Sequence, residues 1–162
     1  MMAITAFAFI LIATSSVFHA VLAAWSGEEH RAGVNTELGR AAEEITRELR
    51  MSAQVKSDAN QEEIRFERSP GDAFIYYFYN SAGVYAHPPV FDQNSYQLRR
   101  AALKDGIDGN FVYGSGDILA RDILPPPASH LAAADGMATV DLTAKKNDET
   151  VRSRTRVRPR NL

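Results

Sequence analysis

The sequence predicts an α+β protein in which one long N-terminal helix, membrane-spanning in its first half and amphipathic in its second, packs on a small antiparallel β-sheet domain. Three observations predict this fold class. An uncharged apolar run opens the chain, a helical periodicity follows it, and the remaining residues alternate with a period of two. We expect boundaries at 1–25 for the membrane half, 26–56 for the amphipathic half and 57–162 for the sheet domain. A chain of 162 residues, 23% of them charged, suits one such unit and is too short for a multidomain enzyme.

The first 25 residues carry no charge, and about 20 apolar residues are enough to cross a ~30 Å hydrocarbon core. A cleavable signal peptide is an alternative, because Val21, Leu22 and Ala23 precede Ala24 as a cleavage site does. A buried core helix is a third interpretation. No Lys or Arg precedes Arg31, which favours the membrane helix over the signal peptide. The apolar side chains expected to line this helix are Ile4, Phe7, Phe9, Ile10, Leu11, Ile12, Val17, Phe18, Val21, Leu22 and Trp25.

The amphipathic half carries one apolar stripe at helical spacing, formed by Val34, Leu38, Ile45 and Leu49. We expect the chain's own sheet to cover this stripe, because a free helix would otherwise expose a contiguous apolar row. From periodicity alone, a coiled coil with other helices remains the alternative.

The rest of the chain reads as short strands separated by turn residues. Ile64 and Phe66 alternate in the first segment, and Pro70 with Gly71 forms a turn before the aromatic strand, which predicts a hairpin. A triple proline marks an irregular loop. The predicted extended segments are 63–67, 74–79, 96–103, 111–113, 118–119, 138–145 and 150–159.

Catalytic chemistry has little support in this sequence. Cysteine is absent, and the four histidines lack metal-ligand spacing, so we expect no enzyme activity, no catalytic residue, no metal and no cofactor. Asp105, Asp108 and Asn110 could offer oxygens to Ca²⁺, but a solvated turn is the favoured interpretation. The aromatic strand 74–79 could stack nucleic-acid bases, although a central strand buried on both faces is favoured.

Arginines alternate strictly near the C-terminus, and in a strand this spacing places them on one face. Such a row could bind phosphates of DNA, lipid headgroups or a carboxylate-rich partner. The favoured interpretation is the solvated face of an edge strand that discourages aggregation. The residues of this row are Arg152, Arg154, Arg156, Arg158 and Arg160.

Two segments of the sequence resemble a known family. MMAITAFAFILIATSSVFHAVLAAW followed by EEITRELRMSAQV resembles the helix of type IV minor pilins and of the J-type minor pseudopilin of type II secretion. The ending ATVDLTAKKNDETVRSRTRVRPRNL resembles the last hairpin of W-type minor pilins. The family's prepilin peptidase site, Gly-Phe-Thr-Leu-x-Glu, has no counterpart here. Because the opening residues 1–4 (MMAI) resemble those that usually follow the family's glutamate, we expect the chain to begin just inside the family's mature helix.

The resemblance implies a pilin-like fold and a structural subunit of a type IV pilus or pseudopilus. It implies a single-pass inner-membrane location with the C-terminal domain in the periplasm, followed by assembly into a filament or its tip. Its implied partners are other pilin or pseudopilin subunits, the inner membrane and assembly platform proteins, with DNA as a weaker candidate. Two alternatives stay open: a membrane-anchored periplasmic binding module whose arginine-rich strand captures an anion such as DNA, and a secreted domain freed from a signal peptide.

Overall fold

The structure, a computed structural model, describes residues 2–57, 62–84, 86, 89–146 and 149–160. Within the helix it describes the side chains of residues 14–19, 21–22 and 33–51. One helix is followed by eight strands. They are α1 (Met2–Met51), β1 (Gln54–Lys56), β2 (Glu63–Ser69), β3 (Asp72–Tyr79), β4 (Tyr96–Ala102), β5 (Asp117–Ile123), β6 (His130–Ala134), β7 (Met137–Lys146) and β8 (Glu149–Val157).

The eight strands form one antiparallel sheet that curls into a half-barrel. Its order is β1-β2-β3-β4-β5-β7-β6, and β8 pairs with β7. The order follows the chain as far as β5, with a tight turn between β2 and β3 and longer connections, residues 80–95 and 103–116, on either side of β4. In the β2–β3 connection, Gly71 adopts a φ of 84°, a conformation that glycine tolerates without steric cost, and Ser69 pairs with Asp72 across the turn.

The second half of α1 lies in the hollow of the curled sheet and packs mainly on β8, β5 and β7. Val34, Leu38, Ile45 and Leu49 are buried in one cluster with apolar side chains from β2 to β8. The helix ends where Ser52 donates from its hydroxyl to the Leu49 carbonyl at 2.6 Å. The structure thus places this stripe against the chain's own sheet.

A second, smaller apolar cluster lies on the outer face of the sheet. Ile75 and Tyr77 of β3 are buried there under the loop that carries Phe111 and Tyr113. The Tyr77 hydroxyl donates to the Ser115 carbonyl at 2.8 Å. Because Tyr76 is buried on the inner face, β3 is covered on both sides. This placement matches a central strand and leaves no exposed aromatic platform on β3.

The predicted fold class is wrong, and so are the transmembrane helix and the inner-membrane location. Among the described residues, no helix combines the length and the apolar character that crossing a membrane requires. Four of the six residues from Thr14 to His19 are polar, so the apolar run is interrupted in its middle. The sheet is also not a small appendage on the helix, since it has eight strands and curls around the second half of α1.

The bounds of most strands shift by one to several residues from the predicted ones, and three differences are larger. The helix ends at Met51, and β1 occupies residues that were predicted to be helical. β6 was not predicted, because its alanine-rich sequence HLAAA lacks β-branched residues. Segment 111–113 is not a strand and instead belongs to the loop over the outer cluster. Most of the predicted link from Ser57 to Asn60 lies outside the described residues.

We expect Leu49→Ala to destabilise the protein by about 2–5 kcal/mol, because Leu49 is fully buried and its truncation leaves a cavity. The matched control is Asn35→Ala on the exposed side of the same helix, which should change the free energy of unfolding by less than about 0.5 kcal/mol. Urea unfolding of the full chain measures both. Equal values for the two variants would contradict the packing of α1 in the sheet.

Candidate functional site

A buried carboxylate joins α1 to the sheet. Glu48 is 6% exposed and accepts hydrogen bonds from the Tyr76 hydroxyl of β3 at 2.5 Å and from Arg100 Nε of β4 at 2.7 Å. Arg68 Nη1 lies 3.7 Å from its second oxygen. Both arginines also stack on the Phe74 ring, with the Arg100 guanidinium carbon 3.7 Å from the ring centroid. This cluster compensates a charge that would otherwise be costly to bury.

The electrostatics of the cluster favour a protonated tyrosine. Burial raises the pKa of Tyr76 far above its usual value, and the hydrogen bond to Glu48 raises it further. Burial acts to lower the pKa of Arg100, but the hydrogen bond and the negative charge of Glu48 raise it overall. In the described part of the chain, no buried side-chain nitrogen or oxygen lacks a hydrogen-bond partner. The cluster is therefore fully satisfied and has the character of a structural clamp.

The five arginines of the predicted row do not all lie on one face in the structure. Arg152, Arg154 and Arg156 lie on the outward face of β8 opposite Thr143, Asp141 and Thr139 of β7. The row is exposed, with 61% of the Arg152 side chain and 55% of the Arg154 side chain accessible. Arg158 follows the end of β8 and is also exposed. Arg160, the last arginine of the predicted row, does not lie on this face.

One carboxylate, Asp141, lies within the row. Arg152 donates to it twice, with Nε 2.8 Å from Oδ1 and Nη2 2.6 Å from Oδ2, and Arg154 Nε lies 3.7 Å away. The hydrogen bond from Arg152 holds the pKa of Asp141 below its usual value, although burial opposes this shift. Arg156 and Arg158 have no carboxylate partner in the part of the chain that the structure describes. The outward face of β8 is therefore positively charged overall.

Arg160 lies on the other side of β8, where the chain crosses to the helix. Its backbone N–H donates to the Arg50 carbonyl at 3.2 Å. It lines a groove of about 480 Å³ between α1 and β8, together with Arg47 and Arg50. Met51 and Thr155 supply apolar contact surface in the groove. Basic side chains thus lie on both sides of the last strand.

The described residues in the first half of α1 stand clear of the sheet. Residues 14–19, 21 and 22 are all exposed. Val17 and Phe18 are each 63% exposed, and Val21 and Leu22 are 53% and 47% exposed. Steps of one, four and five residues place these four on one side of a helix. We call them the projecting face. The other predicted residues of this segment lie outside the described side chains: Ile4, Phe7, Phe9, Ile10, Leu11, Ile12 and Trp25.

Two other candidate sites have ordinary structural roles. Asp108 pairs with Lys56 at 2.5 Å, and Asp105 lies in the turn next to it with a φ of 67°. His130 Nδ1 contacts Glu62 at 2.8 Å on the surface. Within the described residues, no group of His, Asp or Glu is arranged to hold a metal ion.

Sequence reasoning missed the Glu48 cluster and the groove. Glu48 follows Ile45 by three residues and Ala41 by seven, so its position lies beside the apolar stripe. A carboxylate on an apolar face is a signal that could have suggested a buried ion pair. The groove needed the three-dimensional path of the C-terminus, which no local pattern encodes.

Comparisons with known proteins give no relative: no family model, no curated protein and no solved structure matches this chain. The resemblance to pilins and pseudopilins therefore stays a prediction.

We expect Glu48→Ala to lower the free energy of unfolding by about 3–5 kcal/mol, because it leaves the half-buried Arg100 without its counter-charge and the buried Tyr76 hydroxyl without its acceptor. Glu43→Ala is the matched control, since Glu43 is exposed five residues earlier on the same helix. Its effect should stay below about 0.5 kcal/mol. Chemical unfolding of both variants measures the difference. A loss below about 1 kcal/mol for Glu48→Ala, which is the value of an exposed ion pair, would refute the clamp.

We expect stability to fall above about pH 10, where tyrosines of the unfolded chain ionise but Tyr76 of the folded chain does not. A group whose pKa is raised by folding stabilises the fold below its unfolded pKa and loses that contribution as the pH rises. Tyr76→Phe removes this group. The parent should therefore lose up to about 1.4 kcal/mol per pH unit more than the variant between pH 10 and 11. Urea unfolding at several pH values measures both slopes, and parallel slopes would contradict the prediction.

Proposed function

We propose that the chain is a non-enzymatic structural subunit that joins a multi-subunit assembly through the projecting face of α1. The single observation that supports this most directly is the exposure of Val17, Phe18, Val21 and Leu22 on one side of a helix that the sheet does not cover. Adjacent exposed apolar side chains of this size mark interaction surfaces.

The continuity of α1 supports the same proposal. A helix of 50 residues extends about 75 Å at 1.5 Å per residue, which exceeds the length of any strand in this sheet. Among the described side chains of α1, the buried ones lie between Val34 and Leu49. The part that packs on the sheet thus holds the helix in a fixed direction, and the described part before it is presented to partners.

A helix is the partner that this surface suits best. The projecting face is an apolar strip along one side of α1, and Thr14, Ser15 and Ser16 lie in the turn before it. Such strips pack by placing their side chains between those of a second helix, at interaxial distances of about 8–10 Å. We therefore propose helix-to-helix contacts between copies of this chain. The pilin resemblance would be one form of such a subunit, but the proposal does not depend on it.

We expect Phe18→Glu to weaken self-association of the full chain by about tenfold or more, because it places a charge in an apolar contact. The matched control is Ser16→Glu, which adds the same charge on roughly the opposite side of the helix. Sedimentation velocity over a concentration series measures association of the parent and both variants. A parent that stays monomeric throughout, or equal weakening by both variants, would contradict the proposal.

A further inference from the structure

We propose that the free edge of β8 accepts an added β-strand from an acidic peptide segment. Three features support this inference: an unpaired strand edge, positive charge on both sides of that edge, and a groove beside it. The proposed function concerns α1 and does not use any of these features.

β8 is an edge strand in the described part of the chain, where β7 is its one paired strand. β8 pairs with β7 from Glu149 to Val157, and its other principal contact is with α1. The opposite side of β7 is already occupied by β6 and by Ile123 of β5. No described strand therefore pairs with the second edge of β8, whose N–H and C=O groups form a template for another strand.

Positive charge is in excess on both sides of this edge. Arg154 and Arg156 lie on the outward side, while Arg47, Arg50 and Arg160 line the groove on the helix side. Successive side chains of a strand point to opposite faces. Acidic residues on an added strand could therefore meet the outward row at alternate positions and the groove at the positions between them. Main-chain hydrogen bonds would supply affinity, and these contacts would supply specificity.

A second copy of β8 is a poor occupant of the same edge. Pairing two such edges would bring two arginine rows together, and like charges at neighbouring positions of paired strands are destabilising. The phosphates of DNA could pair with the outward arginines. They only accept hydrogen bonds, however, so they cannot both donate to and accept from the backbone of the edge. An acidic peptide matches both the hydrogen-bonding pattern and the charge.

Two carboxylates limit the attraction. Asp141 already binds Arg152, and Glu43 lies among the described residues that line the groove. The interaction should therefore depend most on Arg47 and Arg156, which have no described carboxylate partner. Since these side chains are solvent-exposed, binding should weaken as salt is added.

The test uses the full chain and a fluorescent Glu-Thr peptide of about eight residues in a fluorescence anisotropy titration. Its Glu residues stand in neighbouring pairs separated by Thr, so that an added strand presents Glu to both the outward row and the groove. We expect Arg156→Glu and Arg47→Glu each to raise the dissociation constant by about tenfold or more. Arg40→Glu is the matched control, because Arg40 is exposed about two turns before Arg47 and lines a different groove, beside Ile118 and Leu119. It should change the dissociation constant by less than about twofold.

Four outcomes would overturn the inference. The first is no binding by the parent. The second is equal binding of a peptide with Lys in place of Glu, which would exclude charge recognition. The third is equal binding of the Glu-Thr peptide after N-methylation of alternate backbone amides, which would exclude strand addition. The fourth is tighter binding of a single-stranded DNA oligomer with the same dependence on Arg47 and Arg156, which would make this edge a nucleic-acid surface.

Strand addition at β8 and self-association through α1 can be tested independently of each other. Phe18→Glu should weaken self-association without changing peptide binding, because Phe18 lies in the projecting part of α1 and Arg156 on the sheet. Arg156→Glu should do the reverse. Thermal melts of all variants confirm that each remains folded.

Discussion

The burial of Glu48 constrains how the helix lies on the sheet. A carboxylate at this depth is tolerated because Arg100 and Tyr76, on two neighbouring strands, reach it from the sheet. Rotating or sliding α1 by one residue would separate these groups and leave a buried charge without its partners. The apolar stripe supplies the bulk of the packing energy, and Glu48 selects one arrangement among those that would bury the same apolar area.

Both candidate surfaces depend on that arrangement. With residues 34–49 held in the hollow of the sheet, the earlier part of α1 has a defined direction, so its projecting face is presented in a fixed orientation. The same seating places Arg47 and Arg50 beside the end of β8, where Arg160 joins them. A helix turned on its axis would move those arginines away from the strand edge. The positions of the projecting face and of the β8 edge thus both depend on the Glu48 cluster, although Glu48 is part of neither surface.

Local patterns in the sequence carry a large part of this fold. Helical spacing located the stripe of Val34, Leu38, Ile45 and Leu49, and alternation located the arginine-bearing strand. The prediction of a membrane-spanning helix was wrong because it treated the apolar run as continuous. Four polar residues interrupt that run: Thr14, Ser15, Ser16 and His19. Other features depend on contacts between residues distant in sequence. They are the burial of Glu48, the groove and the return of β6 toward β2. No periodicity reports such contacts.

Hydrogen–deuterium exchange of the full chain, measured across a concentration series, tests the central claim most directly. The account predicts that amides of residues 34–51 are protected at every concentration because they are packed on the sheet. Amides of residues 14–22, which lie in the helix but are not covered by the sheet, should exchange faster than those of residues 34–51 in the dilute monomer and gain protection as subunits associate. Equal protection of the two segments in the dilute monomer, or exchange of residues 14–22 that does not change on association, would contradict the account.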